Sequence, residues 1–371
     1  MKKALSVILA SAMVLSMTAC GGSGGSTAAT TAAPAAPAAT EAPKADDKEE
    51  TKEEAKAEPA AAPEITFKYA ELNSDDNINT RAGYKFAEYV AELSGGRIEI
   101  DVNSASTLGD EKTCLNALQM GGGTVDFYRG NTNSLSDYGF RKLNMFGLPY
   151  IFGSREGMWK VLESEELGQA FLNEGVEVGA GMVGIAYTDE GARNLFTSAE
   201  ITSLADIKGK KIRVPETTLM MDTMAALGAE PTPISYSELY SSLQTGVVDG
   251  AENGYPGYDS NKFYEVAPYY LLDAHTFSPG IILMAEAQWN KLSAEDQAIL
   301  LEAGKKASEW NKAAIEDEEK ALKEALEGKG VTIIECSPEE KAAAQEACKS
   351  VWADYTEGIE DLLQKIVDIQ Q

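Results

Sequence analysis

From Ile65 onward the chain alternates short β-rich runs with segments of helical periodicity, and this alternation restricts the fold more than any other feature. "EITFKYAEL" precedes the helical "NTRAGYKFAEYVAELSG", "RIEIDV" precedes "DEKTCLNALQMG", and "TVDFYR" follows. Later "KKIRVP" leads into "LMMDTMAALG", and "PTPIS" into "YSELYSSLQTG", after which comes "VVDGAEN". A helical crossover returns the chain to the same end of the sheet, so strands joined this way pair in parallel. The expected class is α/β, with parallel-rich sheets covered by helices on both faces.

One device occurs twice. "ALQMGGGTVDFYRGN" (Ala117 to Asn131) and "SLQTGVVDGAENG" (Ser242 to Gly254) share L-Q-x-G and then V-D at the same point of a helix-to-strand transition. In each, a Gly can end the helix and the Val-Asp opens a buried strand. Polar residues follow where that strand emerges: Arg129 and Asn131 in the first copy, Glu252 and Asn253 in the second. Either copy alone fits a chance helix ending; both together point to a repeated unit. Ligands of open α/β sheets bind beyond the carboxyl ends of the strands, so two such units facing each other make a polar cleft between two lobes. Such a cleft binds by closing, here about segments near Ala186 to Glu190 and Phe277 to Ile281.

Toward the C-terminus, "SAEDQAILLEAGKKASEWNKAAIEDEEKALKEALEGKG" opens with a capping signal at Ser293 and Asp296 and meets no Pro before Gly328. A single helix of that length spans ~50 Å, more than one small lobe, and so braces both. Two helices broken near Ala307 and Ser308 fit the same periodicity. The expected division is lobe I over 64–190, lobe II over 191–278, and a return to lobe I over 279–371. The long helix covers about 293–327, and a segment of about 319–345 crosses to lobe II.

At the other end, Lys2 and Lys3 precede the apolar run Ala4 to Met17, which is too short for a membrane anchor and reads as a signal peptide over 1–19. It ends in "LSMTAC" followed by Gly21 and Gly22, which resembles the lipobox of bacterial lipoproteins, with Met17 where Leu is usual. The resemblance implies a diacylglyceryl group on Cys20. Residues 20–63 are Gly, Ser, Thr, Ala and Pro followed by "ADDKEETKEEAKAEP", the composition of a disordered tether. The expected location is the outer face of a bacterial cytoplasmic membrane, held by the lipid.

Several functions are excluded. With 59 Asp and Glu against 32 Lys and Arg, the chain lacks the basic excess that nucleic acid requires. "GGSGG" matches the G-x-S-x-G elbow but sits in the tether, without its strand and helix. "GAGMVG" (Gly179 to Gly184) matches G-x-G-x-x-G, yet a β-like run follows it where a dinucleotide loop opens a helix. The chain has one His, His275, so a Ser-His-Asp triad has a single place to form, with no elbow Ser in view. Beyond Cys20 there are Cys114, Cys336 and Cys348, with no C-x-x-C spacing; whether Cys336 and Cys348 pair is open. No catalytic residue, metal or cofactor is expected.

What remains is a cation in an apolar strand: Arg213 in "GKKIRVPE". A guanidinium matches a carboxylate with two parallel hydrogen bonds. That carboxylate is either an internal Asp or Glu or one carried by a ligand. The fragments "SGGRIEIDV", "LGDEKTCLNALQMGGGTVD", "LPYIFGS", "GARNLFTS", "IKGKKIRVPE", "MAALGAEPTPISYSELYSSLQTGVVDGAEN" and "FYEVAPYY" resemble the DctP-type extracytoplasmic solute-binding proteins of TRAP transporters. The resemblance implies a two-lobed periplasmic-binding-protein-like fold with a long helix spanning both lobes. It also implies a small organic acid as ligand and a membrane permease as partner; the expected state is a monomer. By its motifs, Arg213 grips the ligand carboxylate, assisted by Arg193 of the G-x-R element and Asn253 of "DGAEN".

"SNKFYEVAPYYLLDAHTFSPG" is further similar to the sugar-acid, uronate-binding branch, in which Arg129 stands as a second cation. Glu71, Asn73, Glu252, Asn253 and His275 would then meet hydroxyl groups, and Tyr236 and Tyr258 would flank the ring. "ELNSDDNIN" stands where that branch carries a His-containing loop, and "FSPG" where it carries a charged end. The alternative is a solute-binding lipoprotein of an ATP-driven importer, or a ligand-sensing partner.

Overall fold

Eleven strands form two mixed sheets in the computed structural model, which describes residues 62–277 and 279–371. The expected signal peptide, Cys20 and nearly all of the expected tether lie outside the described residues. The strands are β1 (Ile65–Ala70), β2 (Ile98–Asn103), β3 (Phe127–Asn131), β4 (Met182–Thr188), β5 (Arg193–Thr197) and β6 (Lys211–Val214). They continue with β7 (Glu230–Pro233), β8 (Gly250–Asn253), β9 (Tyr269–Thr276), β10 (Gly280–Ala285) and β11 (Thr332–Glu335). One sheet has the order β2-β1-β3-β10-β4, the other β11-β9-β5-β8-β6-β7.

The strands reached through helices pair in parallel, as in the register Ile65↔Ile98 to Ala70↔Asn103 between β1 and β2. β5 and β10 make all the antiparallel pairings among the described residues. Both are entered without a crossover helix, directly after the chain passes from one sheet to the other. It passes where the carboxyl ends of the strands face each other, so each new strand runs back against its neighbours. "GAGMVG" leads into β4, as its β-like continuation predicts.

The repeated L-Q-x-G…V-D unit has the same construction in both sheets. The helices end at Gln119 and Gln244, and the ladders begin just after the Asp. The Asp126 amide donates to the Lys68 carbonyl at 2.9 Å, and the Lys68 amide donates back to Asp126 Oδ2 at 3.0 Å. Asp249 and Lys211 repeat both bonds at 2.8 Å. Each Asp thereby satisfies a backbone amide of the neighbouring parallel strand and sets where its own strand begins.

The long helix runs unbroken over Ala294–Gly328, with the Ser293 side chain accepting from the Asp296 amide at 3.1 Å. Leu300, Ala303 and Ala307 pack with Phe86 and Val90 under the first sheet. Leu326 packs with Phe196 and Tyr258 under the second, so one helix contributes to a core of each. Gly304 lets it approach closely, since a Cβ there would stand 2.8 Å from Ile185 Cγ2. Cys114, Cys336 and Cys348 are buried free thiols.

Asn311, fully buried in the middle of this helix, accepts from the Asp189 amide at 2.6 Å and donates to the Asp189 carbonyl at 3.3 Å. The Asp189 carboxylate takes Arg155 Nε at 2.8 Å and Trp159 Nε1 at 3.1 Å. The first crossing between sheets is thus pinned to the helix. Asn311→Leu strands both Asp189 backbone groups without partners and is expected to cost about 1–3 kcal/mol of unfolding free energy. Urea denaturation checks this; an unshifted midpoint refutes the pin.

Candidate functional site

The carboxyl-terminal ends of the two sheets converge on one cavity. β3 supplies Arg129 and Asn131, β5 Arg193, β6 Arg213 and β8 Asn253, while the crossing between β4 and β5 supplies Glu190. Asn73, after β1, and Tyr236, after β7, complete the wall. The sides meet over it: Tyr236 Oη donates to Asn73 Oδ1 at 3.1 Å, and Asn77 Nδ2 to Ser260 Oγ at 3.0 Å. Gly257 leaves room for the Asn253 amide, which a Cβ there would approach to 2.6 Å.

Three arginines line this cavity, in two different states. Arg129 is clamped by Glu71, through Nε at 2.7 Å and Nη2 at 2.6 Å, and its Nη1 meets Glu190. Arg193 is clamped by Glu252, through Nε at 2.5 Å and Nη2 at 2.8 Å. Arg213, 2% exposed, donates Nε to the Ile234 carbonyl at 2.8 Å and lies 5.6 Å from the Tyr236 ring centre. It has no carboxylate within ion-pair distance among the described residues, unlike its two neighbours.

The electrostatics follow. Burial pushes the pKa of Arg213 down to about 10; Glu252 partly offsets this, and Arg193 adds repulsion. For Arg193, burial acts in the same direction but Glu252 outweighs it, and the pKa rises. A guanidinium remains charged at neutral pH in either case. Arg213 is therefore a desolvated cation with no ion-pair partner among the described residues, facing a cavity whose other polar groups are mainly amides and hydroxyls.

Behind this wall runs a buried chain of charges. His275 Nδ1 is 2.9 Å from Asp273 Oδ2, and its Nε2 is 3.3 Å from Glu252 Oε2, the oxygen that holds Arg193. Burial alone would raise the Glu252 pKa, but Arg193 and His275 outweigh it and hold it at about 2.

Of the residues singled out in the sequence, Arg213, Arg193, Arg129, Asn253, Asn73 and Tyr236 line the cavity. Glu71, Glu252 and His275 do not. They stand behind, where Glu71 also accepts from Asn73 Nδ2 at 2.9 Å, so their position serves to hold arginines rather than to meet hydroxyl groups. Tyr258 needs a larger correction. It is fully buried in the core, 4.8 Å from the Phe196 ring, and donates to the Ala267 carbonyl at 2.8 Å. The sequence reading missed Glu190 and Glu111, both lining the cavity; Glu111 accepts from Tyr128 Oη at 3.0 Å.

Two lobes joined by direct crossings, a helix common to both cores and a cavity where the sheets face each other are the architecture of a solute-binding protein of the periplasmic type. The chain belongs to the DctP family: residues 69–358 match bacterial extracellular solute-binding protein, family 7. A solute-binding protein of Chromohalobacter salexigens is 32% identical over 79% of this chain and 85% of its own length. Among solved structures, a TRAP periplasmic solute-binding protein of Bradyrhizobium sp. BTAi1 in complex with α/β-D-galacturonate is 32% identical, with a TM-score of 0.77 over 82% of this chain and 99% of that one. One from Roseobacter denitrificans OCh 114 with bound L-galactonate is 34% identical, with a TM-score of 0.76 over 82% and 99%.

The charge chain behind Arg193 can be measured directly, because the sequence contains a single histidine. Burial pulls the His275 pKa down, but Asp273 and Glu252 outweigh it and push it from 6.5 up to about 9. A folded pKa above the unfolded value means that the protonated ring stabilises the fold fully below pH 6.5, and that this contribution is lost as pH rises through 9. The ring C–H proton resonance should titrate near 9; a midpoint at or below 6.5 would contradict the ion chain.

Proposed function

We propose that the protein captures a sugar acid, a hexuronate or a related polyhydroxy monocarboxylate, outside the cytoplasmic membrane and delivers it to a TRAP-type permease. Arg213 carries this reading: it is the one cavity arginine with no internal carboxylate among the described residues. The ligand carboxylate pairs with it, Arg193 adds positive potential, and Asn253 orients the acid. Arg129 stands at the sugar end, where Asn73, Asn131 and Tyr236 meet hydroxyl groups. Relatives of this fold with bound galacturonate and galactonate support that choice of ligand. Residues 64–190 with most of 279–371 form one lobe and 191–278 the other, and they close about the segments near Ala186 to Glu190 and Phe277 to Ile281. Diacylglyceryl-Cys20 and the tether hold the whole at the membrane surface.

Lysine at position 213 keeps the charge and loses the planar fork. Arg213→Lys is expected to weaken D-galacturonate binding by about 2 kcal/mol, roughly thirtyfold. Calorimetry with the acid and its amide completes a double-mutant cycle: the amide binds weakly to the native protein and loses little more in the variant. Equal losses for acid and amide would leave Arg213 with a structural role.

The anchor has its own test. Cys20→Ser is expected to move the protein from the membrane fraction to the soluble one. Retention of the variant with membranes, at the native level, refutes lipidation there.

A further inference from the structure

Glu190 has no part in holding the ligand carboxylate, yet its side chain is built into the cavity wall. It lies on the first crossing, accepts from Asn131 Nδ2 at 2.9 Å, contacts Arg129 and stands 3.6 Å from Arg193 Nη1. Two glycines on other elements leave it room. A Cβ on Gly254 would come within 2.6 Å of the Glu190 carbonyl oxygen, and one on Gly280 within 3.0 Å of its Oε1.

The charges around it do not balance. Arg129 and Arg193 face three carboxylates, Glu71, Glu252 and Glu190, so this side of the cavity carries one net negative charge, while burial raises the pKa of Glu111, the other carboxyl group in the wall, and so favours its neutral form. His275 and Asp273 behind it cancel each other. Arg213 is the single cation left over. A hydroxyl group can donate to Glu190; a second ligand carboxylate cannot, and would set two acceptors against each other in a desolvated space.

Resting on the sugar-acid reading above, we propose that Glu190 is the specificity-determining residue that limits the site to one carboxylate per ligand. It accepts a hydroxyl at the far end of a sugar acid and turns away the corresponding diacid. Removing its charge frees Nη1 of both Arg129 and Arg193 to receive that second carboxylate.

L-Galactonate and galactarate make the test, because they share a chain of hydroxyl-bearing carbons and differ at one terminal carbon, an alcohol in the first and a carboxylate in the second. Calorimetry on the whole protein at neutral pH should show native preference for galactonate of about tenfold or more, the scale set by an unmatched buried charge. In Glu190→Gln the ratio should fall to about threefold or less, through tighter galactarate binding. Glu190→Ala removes the same charge without the amide and gives a second reading of the ratio, with thermal melting to establish that each variant folds. Native protein that binds both acids equally well overturns the proposal. So does a variant that shifts both affinities alike, which would make Glu190 a brace for the arginines. Native protein that binds neither these two acids nor D-galacturonate overturns the sugar-acid reading itself, and the selectivity with it.

Discussion

A guanidinium withdrawn from water without a counterion costs several kcal/mol, of the order that real proteins impose on a buried ion. The cavity is arranged so that Arg213 alone meets that condition among its three arginines. Arg129 and Arg193 each have a carboxylate on both nitrogens of one fork edge, and Glu252 is itself held by His275 and Asp273. Those clamps leave the neighbouring carboxylates committed elsewhere. What distinguishes Arg213 is thus that its two neighbouring arginines already hold these carboxylates.

Such an arrangement needs strand ends placed to within a fraction of a residue, and the paired Asp126 and Asp249 units supply this. Each ties the start of one strand to the neighbouring Lys backbone, so that Arg129 and Asn253, a few residues on, arrive at the cavity from facing sheets. The crossings then carry the chain through the same region. Glu190 comes to the cavity for a topological reason: it sits where the chain leaves one sheet and Asp189, pinned by Asn311, fixes its path.

The alternation of strands and helices, the repeated unit and the long helix were legible because each rests on periodicity or on local capping, which a sequence displays directly. Side-chain direction was less so. Glu252 and Asn253 are adjacent on β8, and successive strand residues point to opposite faces, so one reaches the cavity and the other the charge chain behind it. Reading both as facing the ligand ignored that alternation. Tyr258 belongs to a short helix whose tyrosine packing depends on tertiary contacts with Phe196 and Tyr270, beyond the reach of local pattern. Glu190 was hidden by the composition: one carboxylate among 59 gives no signal until its arginine partners are placed in space.

On the proposed reading, the same electrostatics couples binding to closure. Arg213 and Asn253 lie on the second sheet, while Arg129, Asn131 and Asn73 lie on or beside the first. A carboxylate on Arg213 gains most when water is excluded by the contacts that Tyr236 and Ser260 make with Asn73 and Asn77 across the cavity. Hydroxyl groups reach the amides of the first lobe only in that arrangement. A ligand shifts a conformational equilibrium by its difference in affinity for the two states and by nothing else. Dividing the ligand's partners between the lobes makes that difference large, because an open cleft offers one set or the other while the closed one offers both.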